Sequence, residues 1–365
     1  MRAPSLSAIV LAAGEGTRMR SQRPKPLHLL CGRPMLFYVL DSLSDVHVER
    51  TVVVVGHAAE RVTKKIQEEG WPDQAIDFVE QSVQRGTGDA VSVGLTAWAD
   101  EDPDDADTVI VLPGDAPLLR PSTVSALVKQ HLTTGAAATL LTAKLEDPTG
   151  YGRVLRGRDQ RVARVVEQRD ATADELLIDE ICTSIYCFRR NLLGPALRRL
   201  SPDNAQGEYY LTDVVAVLHD AGYHVGSFPA DEAAETRGVN DRMQLADAEA
   251  RLRRRTNNQW LDAGVTMVDP AQTYIDVTVQ LAPDVTLFPG TILQGRTVIG
   301  RGCEIGPDVR LVDTVVGPNA VVQQCVAVDA EVGEGAVVGP YAVLTPGDHI
   351  APGTRTGAFY TAPGR

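Results

Sequence analysis

From Ile275 onward, aliphatic residues recur at a fixed interval of six: Ile275, Leu281, Leu287, Leu293, Ile299, Ile305 and Leu311. The interval slips by one, resumes at Val316, Val322 and Val328, and slips again to Val332, Val338, Leu344 and Ile350. Neither the 3.6-residue turn of a helix nor the two-residue alternation of a strand produces such a spacing. Glycine often follows the aliphatic residue, as in Ile299-Gly300, Ile305-Gly306, Val316-Gly317, Val332-Gly333 and Val338-Gly339. A hexapeptide period of this kind specifies a β-helix solenoid, in which each aliphatic side chain points into a three-sided prism and turn residues make the corners. Fourteen anchors at three per coil give between four and five coils.

The residues before this repeat follow a different rule. Residues 1–235 alternate short β-branched runs with helical patterns. Leu6–Val10, Thr51–Val55, Thr108–Leu112 and Ala138–Ala143 read as buried strands, with helical stretches such as Pro34–Leu43 and Pro121–Leu132 between them. That order specifies an α/β domain of Rossmann-like kind around a mainly parallel sheet. Residues 241–262 read as one helix, with Met243, Leu245, Leu252 and Trp260 as apolar anchors and Arg251, Arg253, Arg254 and Arg255 as a solvated face. The expected organisation is therefore a domain over 1–238, a helical arm over 239–264, a β-helix over 265–355 and a tail over 356–365.

Composition narrows the setting. The chain has 365 residues and is 44% hydrophobic, enough for two cores. Its net charge of −13 argues against nucleic acid or an anionic membrane as a partner. The five cysteines have no C-x-x-C spacing, and no apolar run approaches the eighteen residues of a membrane span. A cytoplasmic location is expected.

The chemistry is concentrated in Leu11-Ala-Ala-Gly-Glu-Gly-Thr-Arg-Met19 and the following Pro24-Lys-Pro-Leu-His28. A buried strand leads into a turn where Gly14 and Gly16 let backbone N–H groups approach a phosphate closely. Arg18 and Lys25 set two fixed positive charges beside it. Lys25 is one of only five lysines in the chain. The loop lacks the third glycine of a dinucleotide fingerprint and the G-K-[ST] ending of a Walker loop. Nucleotide binding through phosphate is the expectation. Asp115, in Leu112-Pro-Gly-Asp-Ala-Pro, follows a second strand, where ligands of such sheets collect.

These segments resemble the pyrophosphorylase signature L-A-A-G-x-G-T-R-M followed by P-K-x-L-H, that of the sugar-1-phosphate nucleotidyltransferases. The resemblance is greatest to the bacterial N-acetylglucosamine-1-phosphate uridyltransferases, and it extends from residue 7 to about residue 350. It implies Mg²⁺-dependent transfer of a nucleotidyl group from UTP to a sugar-1-phosphate, with release of pyrophosphate. By the same resemblance Arg18 and Lys25 act on the phosphates, and Asp115 and Asn240, in Gly238-Val-Asn-Asp-Arg, hold the metal. The backbone of Leu11, Ala12, Ala13 and Gly14 cradles the nucleotide. Gln81, Gln84, Gly86 and Thr87 match Q-x-x-Q-x-G-T-G, which contacts uracil. A glutamine amide pairs with the imide edge of uracil, and thymine offers the same edge, so dTTP fits as well. Gly152, Glu167, Cys182 and Tyr210 fall in the family's sugar-side blocks. A β-helix of the left-handed form and a homotrimer packed along it complete the expectation.

Two departures accompany the match. The family's E-I-N-T-G is Glu180-Ile-Cys-Thr-Ser184 here, so a thiol stands in place of the amide that contacts the amino sugar. This leaves open a different sugar-1-phosphate or triphosphate (dTTP or GTP), or a non-catalytic regulatory relative. Full-length relatives also carry an acetyl-CoA-dependent acetyltransferase site. Here Thr345 stands in place of the arginine of an L-R-P-G turn, and the later blocks of that site are not found, so loss of acetyl transfer is expected.

Overall fold

The computed structural model describes residues 5–69, 76–98 and 107–361. The chain divides into two compact units. One comprises Met1–His28 and Pro34–Gln244, the other Leu29–Arg33 and Leu245–Arg365.

The first unit is built on a nine-stranded sheet. Its strands in chain order are β1 (Leu6–Ala12), β2 (Arg50–Val55), β3 (Ile76–Glu80), β4 (Thr108–Pro113), β5 (Ala138–Lys144), β6 (Gly152–Arg156), β7 (Val162–Val166), β8 (Glu180–Arg189) and β9 (Val225–Pro229). Their lateral order is β9-β5-β8-β4-β1-β2-β3, with β6 on β8 and β7 on β6. The half from β4 to β3 is parallel. Strand β8 runs antiparallel to β4, β5 and β6, so the sheet as a whole is mixed. β1, β2 and β4 are continuous aliphatic runs buried on both faces, as parallel strands sandwiched between helical layers must be. One core forms on each side of them. Ile9, Val52, Val54, Val109 and Val111 face one layer, and Ala8, Val10, Val53, Val55, Ile110 and Leu112 face the other.

The order of the sheet positions the site. From β1 the chain moves outward to β2 and β3, then returns to place β4 on the opposite side of β1. The crevice beyond β1 and β4 is therefore a topological switch point, where open α/β sheets bind ligands. Leu11 pairs with Pro113, so the Gly14 turn and the Gly114-Asp115 turn leave neighbouring strands at the same level.

The second unit carries three parallel sheets of five strands each, five coils of a three-sided, left-handed β-helix. A helix over Arg242–Asp262 precedes it. On that helix Leu252 is buried and Trp260 packs against the prism core, whereas Met243, expected as an anchor, is exposed. The aliphatic anchors fill the prism, but one of the fourteen does not. In the strand Val326–Val328 it is Ala327 that points inward, while Val328 faces solvent. Stacking decides this. Leu311 of the coil below and Leu344 of the coil above both pair with Ala327. The chain reaches that register by shortening two successive corners to five residues, Val322 to Ala327 and Ala327 to Val332. A second inward position, two residues before the anchor, is apolar in most coils, taken by Val279, Val285, Cys303, Val309, Ala320, Cys325, Ala330, Ala336 and Ala342, and is a buried threonine at Thr273, Thr291, Thr297 and Thr314. Parallel pairing continues past residue 355, with Arg355 on Val337 and Thr361 on Val343. Residues 362–365 of the expected tail lie outside the described residues. Among the described residues no helix is long and apolar enough to cross a membrane, and all five cysteines are unpaired and buried.

The inward register gives a direct test. Ala327→Asp places an unpaired carboxylate in the prism core and should destabilise the solenoid by several kcal/mol. Val328→Thr, one residue on, should change stability by less than about 0.5 kcal/mol. Thermal denaturation of both variants checks the assignment, and equal losses would refute it.

Candidate active site

A cleft of about 510 Å³ opens at the switch point. Fourteen of the sixteen expected site residues line it: Leu11, Ala12, Ala13, Gly14, Arg18, Lys25, Gln81, Gln84, Gly86, Thr87, Asp115, Glu167, Tyr210 and Asn240. Gly152 and Cys182 do not.

The phosphate side starts at the end of β1. Gly14 has nothing within 4 Å of where a Cβ would stand, so no neighbour demands glycine there; the space it leaves is on the cleft side. Two short helical turns follow, Thr17–Met19 and Lys25–Leu27. Met19 is buried beneath the loop, while Arg18 stays exposed at the mouth of the cleft. The ammonium of Lys25 donates to Asp115 Oδ2 and, at 2.7 Å, to Asn240 Oδ1. Asp115 is held in turn by the segment that brings Asn240, because Val239 N–H donates to the Asp115 carbonyl at 2.8 Å. Two oxygen donors thus converge on one cation. Among the described residues no group of three or more His, Cys, Asp or Glu forms a closed metal cage. An open pair of oxygens suits a hard cation that takes its remaining ligands from phosphate and water.

The loop after β3 forms the second wall. Gln81 donates through Nε2 to Asp89 Oδ2 at 2.7 Å and to the Gly86 carbonyl at 3.2 Å. Gln84 Nε2 donates to the Ala13 carbonyl at 2.8 Å, which ties this loop to the glycine turn. Gly86 has φ +108°, and a Cβ there would lie 2.6 Å from the Tyr209 carbonyl, so only glycine fits. Thr87 Oγ1 accepts the Leu211 N–H at 3.0 Å.

The third wall comes from the turn before β6, the residue that follows β7, the middle of β8 and the segment around Tyr210. Glu167 accepts from Thr212 Oγ1 at 3.0 Å. Burial pushes its pKa above the usual carboxylate range, and the nearby Asp213, Asp170 and Glu208 charges add to that rise against the Thr212 bond. Gly152 sits behind this carboxylate. A Cβ there would be 2.9 Å from Val165 and 3.5 Å from both Glu167 oxygens, so its missing side chain leaves room for Glu167. Tyr210 is buried and accepts from Gln206 Nε2 at 2.9 Å. Cys182 is buried behind the wall. Its thiol, pushed up to about 12 by desolvation, lies 3.1 Å from the Tyr186 hydroxyl. Of this segment Thr183 and Ser184 do reach the cleft, Thr183 as a buried side chain and Ser184 exposed and with φ +61°. An irregularity in β8 between Cys182 and Tyr186 produces it. Composition gives no sign of this turn; a serine where relatives carry glycine is the one signal that could have.

A strand-end glycine turn, two flanking cations and a pair of oxygen ligands stand in one cleft, and residues 8–217 match the MobA-like NTP transferase domain. The similarity to curated proteins runs far beyond that domain. The chain is 43% identical to the bifunctional protein GlmU of Heliobacterium modesticaldum over 97% of its own length and 75% of the relative's. It is 46% identical to that of Mycolicibacterium vanbaalenii, over 97% of this chain and 71% of the relative, and 46% identical to that of Thermobifida fusca, over 90% and 67%. The chain therefore belongs to the GlmU family of NTP transferases, and its reaction class is sugar-1-phosphate nucleotidyl transfer.

Glu167 offers a test of the site's electrostatics. A folded-state pKa raised by burial means that the ionised carboxylate costs stability above that pKa, and that the cost disappears as pH falls through it. Glu167→Gln keeps an oxygen for Thr212 and removes the buried charge. Its melting temperature should equal or exceed that of the parent at pH 8, and the difference should shrink toward pH 4. A lower melting temperature at pH 8 would contradict this account.

Proposed function

We propose that this enzyme transfers the uridylyl group of UTP to N-acetylglucosamine-1-phosphate, with Mg²⁺ as cofactor, giving UDP-N-acetylglucosamine and pyrophosphate. The observation that carries the reading is the Lys25 ammonium shared by Asp115 and Asn240 beside the Gly14 turn. Asp115 and Asn240 would hold the divalent cation, which supplies neutralisation of phosphate charge when bound. An oxygen of the sugar phosphate attacks the α-phosphorus. The bond from that phosphorus to the bridging oxygen of the β-phosphate breaks, and pyrophosphate leaves with its electron pair. The nucleophile is already an oxyanion, so no side chain need remove a proton. The chain's task is to bring anions together and stabilise the charge that develops. Arg18 offers a planar guanidinium fork to the phosphates, and Lys25 a point charge. Leu11 through Gly14 pack against the nucleoside, and Gln81, Gln84, Gly86 and Thr87 meet the base.

The sugar lies against Glu167, Tyr210 and Ser184 in this proposal. Cys182 is not on the cleft wall, so the thiol in place of an amide carries little weight against N-acetylglucosamine-1-phosphate. A cytoplasmic setting accords with five unpaired cysteines. For residues 265–361 by themselves we infer no acetyl transfer, since Thr345 replaces the arginine of the corresponding turn.

Pyrophosphate release, measured with UTP, dTTP, CTP, GTP and ATP against several sugar-1-phosphates, tests the substrate assignment. UTP with N-acetylglucosamine-1-phosphate should be the best pair, and turnover should require added divalent cation. Asp115→Ala should lower turnover by a factor on the order of a thousand while the protein stays folded. Near-parental turnover in that variant would remove the metal assignment.

We also propose a homotrimer assembled along the prism. The sheet containing Thr291–Gln294 and Val326–Val328 offers an outward row of Tyr274, Ile292, Arg310, Val326 and Val343, flanked by Val312 and Val328. Tyr274, Val326, Val328 and Val343 are all substantially exposed. Three copies around a closed axis would cover such faces without open-ended association. Sedimentation should give three times the monomer mass of 39.2 kDa, and Val326→Glu should shift it toward monomer. A parent protein that sediments as a monomer at micromolar concentration would overturn the assembly.

A further inference from the structure

Gln81 is only 5% exposed, and its amide is committed on one side. Nε2 donates to the Asp89 carboxylate at 2.7 Å and to the Gly86 carbonyl at 3.2 Å. An amide nitrogen carries two protons, and both are used here. Both partners can only accept. Turning the amide over would set its oxygen against two other acceptors, so the hydrogen bonds themselves dictate which end is nitrogen. The loop cannot readily yield either. The Gly86 backbone lies against Tyr209, the Arg85 carbonyl accepts the Tyr209 N–H at 2.7 Å, and Gln84 is fastened to Ala13. The one uncommitted polar atom of the Gln81 side chain is the acceptor Oε1.

We infer that Asp89 is a positioning residue for base selection: by holding the Gln81 amide, it leaves the cleft an acceptor that matches the ring N–H of uracil and opposes the unprotonated ring nitrogen of cytosine. Asp89 is not on the cleft wall. It stands in the first turn of the helix Thr87–Leu95 and acts through Gln81. This inference rests on the proposed reading of the cleft as a UTP site. It adds the source of discrimination against a base of the same size.

A free glutamine amide presents either its donor or its acceptor at almost no cost, and so accepts uracil and cytosine alike. A fixed amide leaves an acceptor facing an acceptor when the base is wrong. That mismatch of desolvated polar groups is what gives hydrogen-bonding sites their selectivity.

The test compares kcat/KM for UTP and CTP in the parent, Asp89→Asn and Asp89→Ala, at saturating N-acetylglucosamine-1-phosphate. Asp89→Asn keeps an oxygen that can accept from Nε2 but can also turn its own amide over to donate, so it should lower the UTP:CTP ratio less than Asp89→Ala does. Asp89→Ala should lower the ratio by roughly tenfold or more, chiefly through a higher KM for UTP. Asp89→Ser is the second variant should the alanine protein fail to fold, and it should also lower the ratio. A purely structural role would depress both nucleotides together and leave the ratio unchanged; that result in the alanine and serine variants would overturn the inference. If the parent itself uses CTP as readily as UTP, the uridylyl reading fails first and this inference falls with it, an outcome distinct from parental selectivity that survives the loss of Asp89.

Discussion

The ion-pair knot of Lys25 with Asp115 and Asn240 joins positions separated by 90 and 215 residues. A lysine ammonium in a half-buried cleft needs compensating oxygens, and a carboxylate there needs a cation. Each of the three segments is thus placed by what the others require. The glycine turn is held at the end of β1, Asp115 at the end of β4, and Asn240 just before the helix Arg242–Asp262. The register of Leu11 on Pro113 makes the meeting possible, because it delivers two turns to the same level of the sheet. In the proposed reaction the same arrangement prepares the cleft for a polyanion: charges that neutralise one another here are already in position for phosphate, with little reorganisation left to occur.

Much of this was legible in the sequence because the signals were periodic or locally unambiguous. Strands β1, β2 and β4 are near-continuous aliphatic runs, and burial on both faces leaves few alternatives for them. The solenoid announced itself through a period no other element uses. Its register failed at one place, Val328, where two valines flank an alanine and hydrophobicity points to the wrong residue. Pairing with Leu311 and Leu344, from coils roughly 17 residues away in each direction, selected Ala327 instead. The antiparallel course of β8 was equally invisible, since strand direction depends on where connections run rather than on composition.

The site divides along similar lines. Glycines and cations could be read directly, because each answers a local chemical need, whereas the loop over residues 81–87 came only through the family resemblance. Cys182, Ser184 and Gly152 could not be ordered by depth. They share one short stretch of two paired strands, and only the irregularity after Cys182 decides that Ser184 faces the cleft while the thiol turns to Tyr186. Asp89 was missed for a different reason. An acidic residue in the first turn of a helix has an ordinary explanation in the helix dipole, and nothing in its sequence neighbourhood reports that its carboxylate has a glutamine to hold.

The shortened corners of the β-helix bear on how such a chain tolerates change. Hydrogen bonds there join equivalent positions of successive coils, Leu311 to Ala327 to Leu344, across intervals of unequal residue number. Loss of a residue at a corner is absorbed within a single coil, and the next coil stacks as before. The same loss inside β1 would send each following side chain to the opposite face of the sheet and move the Gly14 turn away from Asp115. Variation in length is thus cheap in one unit and ruinous in the other, so insertions and deletions between related sequences should collect at the prism corners and avoid the strands that lead into the cleft.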